Sequence, residues 1–160
     1  MRFTKSITFE ALPEVVAEML ADPAFRERVA SSAGATAYDV SVIETDSGVH
    51  AVLESRQPSV GLPGFARRFV GDELVIHQEE HWHTATDGTM SVAIPGKPGK
   101  VTGAIALAGS GVSTVQTVTA DISVGLPLVG GRIERMIGQI LGNVLKLQAR
   151  VGNAWLAGER

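Results

Sequence analysis

Three of the chain's four histidines and three of its glutamates crowd into one stretch, Glu73-Leu-Val-Ile-His-Gln-Glu-Glu-His-Trp-His83. Read as a strand, the stretch throws alternate side chains to opposite faces. Leu74, Ile76, Gln78, Glu80 and Trp82 share one face; Val75, His77, Glu79, His81 and His83 share the other. Leucine, isoleucine and tryptophan prefer the interior, so the first face turns inward and takes Gln78 and Glu80 with it. A carboxylate desolvated in an apolar wall can serve as general base or ligand anchor. Placed at a cavity mouth instead, Glu80 stays wet and merely solubilises.

The opposite face offers a different chemistry. Two imidazoles at spacing two point the same way, and Glu79 could supply a third metal ligand. Three ligands on one strand nevertheless span about 13 Å at ~3.3 Å per residue, too far to close on one ion. No HExxH or other complete ligand spacing occurs, so a solvated outer face with no metal is expected. Two amides stand out elsewhere: Gln116 on the face of Val118, Ala120 and Ile122, and Gln148 within an apolar helical stripe. Buried amides need partners, so each is bonded in the core or open to a ligand. With Tyr38 they make a sparse polar set in an apolar lining, the usual make-up of a small-molecule pocket.

Two loops invite function. Residues 60–69 set Leu62, Phe65 and Phe69 beside Arg67 and Arg68, as a lid or a membrane-touching tip would, or as a cap whose arginines stay wet. Gly125-Leu-Pro-Leu-Val-Gly-Gly-Arg132 enters a helix but lacks the GK[ST] ending of a phosphate loop. Its glycines suit a tight strand-to-helix approach. No GxSxG elbow is present, and no cofactor is expected.

The elements that must position these residues are legible from their periods. Residues 2–10 alternate as a strand. Leu12, Val15, Val16, Met19 and Leu20 mark a helix with Pro13 in its first turn. Asp22-Pro23 caps a second short helix, ended by Gly34. A meander occupies 36–124, with turns at Asp46-Ser47-Gly48, Asp87-Gly88, 95–100 and Gly109-Ser110-Gly111, and a loop over 57–71. In the last third Ile133, Met136, Ile137, Ile140, Leu141, Val144, Leu147, Val151 and Trp155 share one stripe. One helix over 131–156 is expected, with Gly138, Gly142 and Gly152 off that stripe. Each glycine weakens helix propensity by about 1 kcal/mol, so packing must hold the helix. The fold class is α+β: a curved antiparallel sheet of seven strands around a long C-terminal helix.

Composition bounds the rest. The 160 residues, 44% hydrophobic and 19% charged, suit one domain over 1–160 with a real core. A net charge of −3 lacks the basic field nucleic acid requires. Without cysteine there are no disulfides, thiol nucleophiles or cysteine zinc sites. The first ten residues lack a signal peptide's apolar run. No window reaches the roughly 18 consecutive apolar residues of a membrane span. A soluble cytoplasmic protein is expected.

The paired short helices at 12–33, the meander at 36–124 and the stripe at 133–155 together resemble the START-like or SRPBCC superfamily with its helix-grip fold. Its members include birch-pollen-allergen, lipid-transfer and polyketide-cyclase types. Within it, Met1-Arg-Phe, the 125–131 entry to the last helix and the Trp155 end are most similar to a bacterial domain-of-unknown-function family. The resemblance implies a hydrophobic small molecule or lipid held between sheet and helix; the residues of 60–69 suit at most transient membrane contact. Tyr38, Gln78, Glu80, Trp82, Gln116, Val118, Ile140, Val144 and Gln148 are the expected lining. The rivals are a cyclase or dehydratase using Glu80 as base, and a ligand-free interaction domain with a filled core. Fold likeness cannot choose among them.

Overall fold

The alternation of the first residues forms strand β1 (Arg2–Phe9), which turns Phe3, Ile7 and Phe9 inward; Phe9 is fully buried. Helix α1 (Pro13–Leu20) follows, its proline in the first turn, where no amide donor is needed. Val16, Met19 and Leu20 are buried, whereas Leu12 and Val15 are exposed, so its apolar face is narrower than the periodicity predicts. Helix α2 (Pro23–Ser32) starts where the Asp22 side chain accepts a hydrogen bond from the Ala24 amide at 2.9 Å.

The computed structural model, which describes Met1–Arg160, then runs through β2 (Ala37–Thr45), β3 (Gly48–Pro58), β4 (Glu73–Trp82), β5 (Asp87–Ala93), β6 (Gly99–Ser110) and β7 (Ser113–Val124). They make one antiparallel sheet of seven strands in the order β1-β7-β6-β5-β4-β3-β2, with β1 and β2 as its edges. Each ladder keeps a single register along its length, from Arg2 opposite Asp121 to Pro58 opposite Glu73. The alternation of faces is therefore unbroken across the sheet, which curls around the last helix.

Three predicted boundaries are corrected. The stretch 57–71 is not plain loop: it holds a 3₁₀ turn (Ser59–Gly61) and a short helix, α3 (Gly64–Val70). Phe65, Ala66, Phe69 and Val70 fall at helical spacing there, and Ala66, Phe69 and Val70 are buried. Asp87 and Gly88 already pair in β5, the chain having turned over residues 83–86. The β6–β7 reversal lies at Gly111-Val112, one to two residues later than read from the glycines.

Helix α4 (Gly130–Leu156) runs 27 residues, about 40 Å. Its apolar stripe is packed at the ends, where Ile133 and Trp155 are buried, but its closest approach to the sheet is on another face. Gly138, Leu145 and Gly152 are buried there, and the two glycines lie against the β1 side of the sheet. A Cβ on Gly138 would lie 2.6 Å from Met1 Cε, and one on Gly152 would lie 2.5 Å from the Phe9 ring. The side away from the stripe is thus a close seam, where absent side chains let helix and sheet approach. The middle of the stripe, from Met136 to Leu147, faces away from this seam.

Candidate functional site

Because α4 is drawn onto the β1 side, a space is left between it, α2 and strands β3–β7. This cavity measures about 530 Å³, and 26 of its 38 lining residues are hydrophobic. Ile133, Met136, Ile137, Ile140, Val144 and Leu147 of α4 face it, opposite Leu53, Ile76, Met90, Val92 and Val101 of the sheet. Phe25, Val29 and Ala30 close it from α2, while Leu62, Phe69 and Val70 close it from the α3 segment.

Of the predicted lining, Gln78, Glu80, Gln116, Val118, Ile140, Val144 and Gln148 meet at this space. Tyr38 and Trp82 do not. Tyr38 has the right face of its strand, but that strand is the sheet's edge, and the side chain is 42% exposed. Trp82 is buried in the main core beside the cavity, its ring lying over Gly88 on the adjacent strand. Its indole N–H finds no acceptor.

Glu80 is 5% exposed, but it is not the lone carboxylate that the strand pattern predicts. The guanidinium of Arg26, on α2, donates to Glu80 Oε2, and Gln78 Nε2 donates to the same oxygen at 3.4 Å. Arg26 is itself held by a 2.7 Å bond from Nε to the Leu20 carbonyl. Each charge therefore has a partner, as burial demands. Sequence reasoning missed Arg26. Its signal was position: Phe25, Arg26, Val29, Ala30 and Ala33 fall at helical spacing, so a basic residue sits inside an apolar stripe.

Gln148 Nε2 donates to Gln116 Oε1 at 3.4 Å, long for such a bond. The two amides that the sequence left either bonded or open are bonded weakly to each other, across the gap between α4 and β7. A polar group on a ligand can displace that bond at little cost. The interior thus pairs apolar walls with a compensated ion pair and exchangeable amides, an arrangement that suits an uncharged, largely apolar molecule with a few polar substituents.

The outer face carries His50, His77 and His81 with Glu54 and Glu79. No group of three or more His, Asp or Glu side chains is placed to hold a metal ion. His77 instead bridges two carboxylates, at 3.0 Å to Glu79 and 3.0 Å to Glu54. The hydrogen bond to Glu79, then that to Glu54, raises His77 above its ordinary 6.5. The same bond to His77 lowers Glu79 below 4.5. A raised histidine stabilises the fold below its unfolded pKa and loses that contribution as pH climbs through the folded value. A lowered glutamate stabilises above its unfolded pKa and loses that as pH falls through the folded value. The bridge is therefore fully present between about pH 4.5 and 6.5. His77→Gln is expected to lower the urea midpoint at pH 5.5, with the deficit shrinking by pH 8.5. An equal deficit at both would assign the loss to packing.

At the entry to α4, Gly130 approaches the Val124 carbonyl so closely that a Cβ would lie 2.5 Å from its oxygen. This is the tight strand-to-helix approach that the glycines suggest. The amides of Gly130 and Arg132 donate to Leu126 and Val129, as a turn rather than a phosphate cradle would have them.

Residues 4–156 match the sequence pattern of a family described as "Protein of unknown function (DUF2505)". The chain belongs to the DUF2505 family. This DUF2505 protein is 28% identical to the uncharacterized protein Rv0481c of Mycobacterium tuberculosis, over 76% of this chain and 78% of that one. Its fold is shared with a START superfamily protein from Mycobacterium smegmatis (TM-score 0.64, 14% identity, 98% of this chain and 97% of that one). It is also shared with the di-domain ARO/CYC StfQ of the steffimycin biosynthetic pathway (TM-score 0.65, 10% identity, 96% of this chain and 49% of that one). At such identities the likeness shows fold alone. The DUF2505 chain thus has the START-like helix-grip architecture, and no helix in it is long and apolar enough to cross a membrane.

Proposed function

We propose that the protein binds an uncharged, largely apolar small molecule or lipid between α4 and the sheet. One observation carries this reading: the apolar stripe of α4 is turned to open volume, while its glycine face makes the contact with β1. A chain selected only for a filled core would lay the stripe on the sheet, since unfilled apolar volume costs stability. A ligand burying about 300 Å² of apolar surface would gain about 7 kcal/mol before association costs. Arg26, the buried cation of the lining, is already matched by Glu80, and the other two, Lys100 and Arg150, are exposed to solvent, so a fatty-acid carboxylate would find no free buried cation.

The test is native mass spectrometry of the protein purified without detergent, followed by titration with the neutral probe N-phenyl-1-naphthylamine. A copurifying lipid or saturable probe binding is expected. Val144→Trp, which fills the cavity from the helix side, is expected to weaken the probe about tenfold or more while leaving the fold intact. Binding that ignores this substitution would place the probe elsewhere and overturn the reading.

A second reading, a cyclase- or dehydratase-like enzyme, is favoured by the buried carboxylate of Glu80 and by the fold shared with StfQ. Against it, Glu80 Oε2 already accepts from Arg26 and Gln78, so a substrate proton must compete for that atom. Turnover of a polyketone, abolished by Glu80→Gln, would establish it. The open volume weighs against the third reading, a solid interaction domain.

A further inference from the structure

The two ends of the sheet differ sharply in charge. At one end lie α1, the β2–β3, β4–β5 and β6–β7 turns and the end of α4. These place Glu10, Glu14, Glu18, Asp22, Glu44, Asp46, Asp87 and Glu159 there, against Arg150 and Arg160 at the end of α4. The other end is built from α3, the β5–β6 turn, the 125–129 segment and the first turns of α4. It holds Arg67, Arg68, Lys97, Lys100, Arg132 and Arg135, all exposed and none in a salt bridge. The acids nearest them are mostly spent: Glu73 pairs with Arg56 at 2.9 Å, and Glu134 pairs with the terminal ammonium at 3.3 Å. Asp72 alone is free there. On a chain of net charge −3, this is a concentrated basic face.

The same face thrusts out apolar side chains. Leu126 packs into the smaller core cluster, but Leu128, two residues on, is fully exposed (105%), and Val60 is 78% exposed. Leu128 holds φ at 69°, the left-handed region that a leucine rarely adopts. The backbone is thus strained in the conformation that presents this leucine to the outside. Apolar exposure alone does not single out the face, since Leu12, Val15 and Val112 protrude at the acidic end. Charge does: an anionic surface attracts one end and repels the other.

We infer that the α3 end of the molecule docks on an anionic lipid bilayer, with Leu128 and Val60 entering the interfacial region and the six basic side chains meeting phosphate groups. The bilayer is favoured over a protein because the protruding side chains are single and separated, with basic residues between them, and form no groove. The cavity reaches this end through Leu62, Phe69, Ile94 and Lys100, which would put its contents next to the membrane. Docking itself does not depend on a ligand being bound.

Co-sedimentation of the full chain with vesicles tests the proposal, using pure phosphatidylcholine and an equal mixture with phosphatidylglycerol. Partitioning onto the mixed vesicles only is expected, weakening as sodium chloride is raised. The double change Arg67→Glu/Arg68→Glu and the single change Leu128→Asn should each reduce partitioning about tenfold or more. Asparagine tolerates the left-handed backbone, so the second variant keeps its fold, as its thermal unfolding would confirm. Leu12→Asn at the acidic end should leave partitioning unchanged. Absence of partitioning onto anionic vesicles overturns the proposal, as does equal partitioning by all variants. So would a concentration-dependent dimer that Leu128→Asn dissociates, because the face would then belong to a second copy.

Discussion

Glu80→Leu is expected to cost about 3 kcal/mol of folding stability, at the lower end of what breaking a buried ion pair costs. Arg26 is left behind at a side-chain exposure of 11%, with a charge that it can neither match nor give up. The cavity beside it admits some water to the orphaned guanidinium, which keeps the loss from the top of the range. Arg26→Met is expected to cost a similar amount for the mirror-image reason. In the double variant Arg26→Met/Glu80→Leu neither charge remains, and most of the loss should return, since an apolar replacement of a buried pair is often neutral. Urea denaturation of the four proteins closes the cycle. Additive losses in the double variant would mean that the two side chains act independently and that the pair does not organise this wall.

Gly152→Ala is expected to destabilise by about 2 kcal/mol, although alanine gains about 1 kcal/mol over glycine in an unhindered helix. The new methyl would sit 2.5 Å from Phe9 Cε1 and 3.1 Å from Met19 Cε, and Phe9 is fully buried with nowhere to retreat. Gly142→Ala is the internal control. Its nearest neighbour would be Phe3 Cε2 at 3.9 Å, an ordinary contact, so this change should stabilise by about 0.5–1 kcal/mol. Opposite signs at two glycines of one helix, read by thermal or urea unfolding, would establish the close seam with β1. Stabilisation by both would show that the helix stands further from the sheet.

The elements were readable because their periods are long and clean. Three alternating apolar positions place β1 and nine helically spaced ones place α4, without help from tertiary structure. The short helix α3 was hidden because Pro63, Gly61, Gly64 and Gly71 crowd it, and composition outweighs spacing over seven residues. Glu80 and Gln116 could be turned inward by alternation alone. Arg26 could not be joined to Glu80, because the pair is separated by 54 residues and no local pattern links them. The seam along Gly138, Leu145 and Gly152 was misweighted for another reason. Hydrophobic periodicity scores what a side chain contributes, and here contact depends on side chains that are missing. The apolar stripe was found, but the closest approach to the sheet is on the other face.

That separation of faces has a consequence for how such a chain can diverge. At Gly138 and Gly152 the anchoring side of α4 is fixed by shape, and an added atom is penalised. The opposite side, from Met136 to Leu147, borders free volume, so residues there can be enlarged or trimmed without disturbing the anchor. Relatives sharing this framework can therefore retune the chamber's size and contour while the rod stays in register, and differences in selectivity should accumulate at Met136, Ile140, Val144 and Leu147 rather than at the glycines.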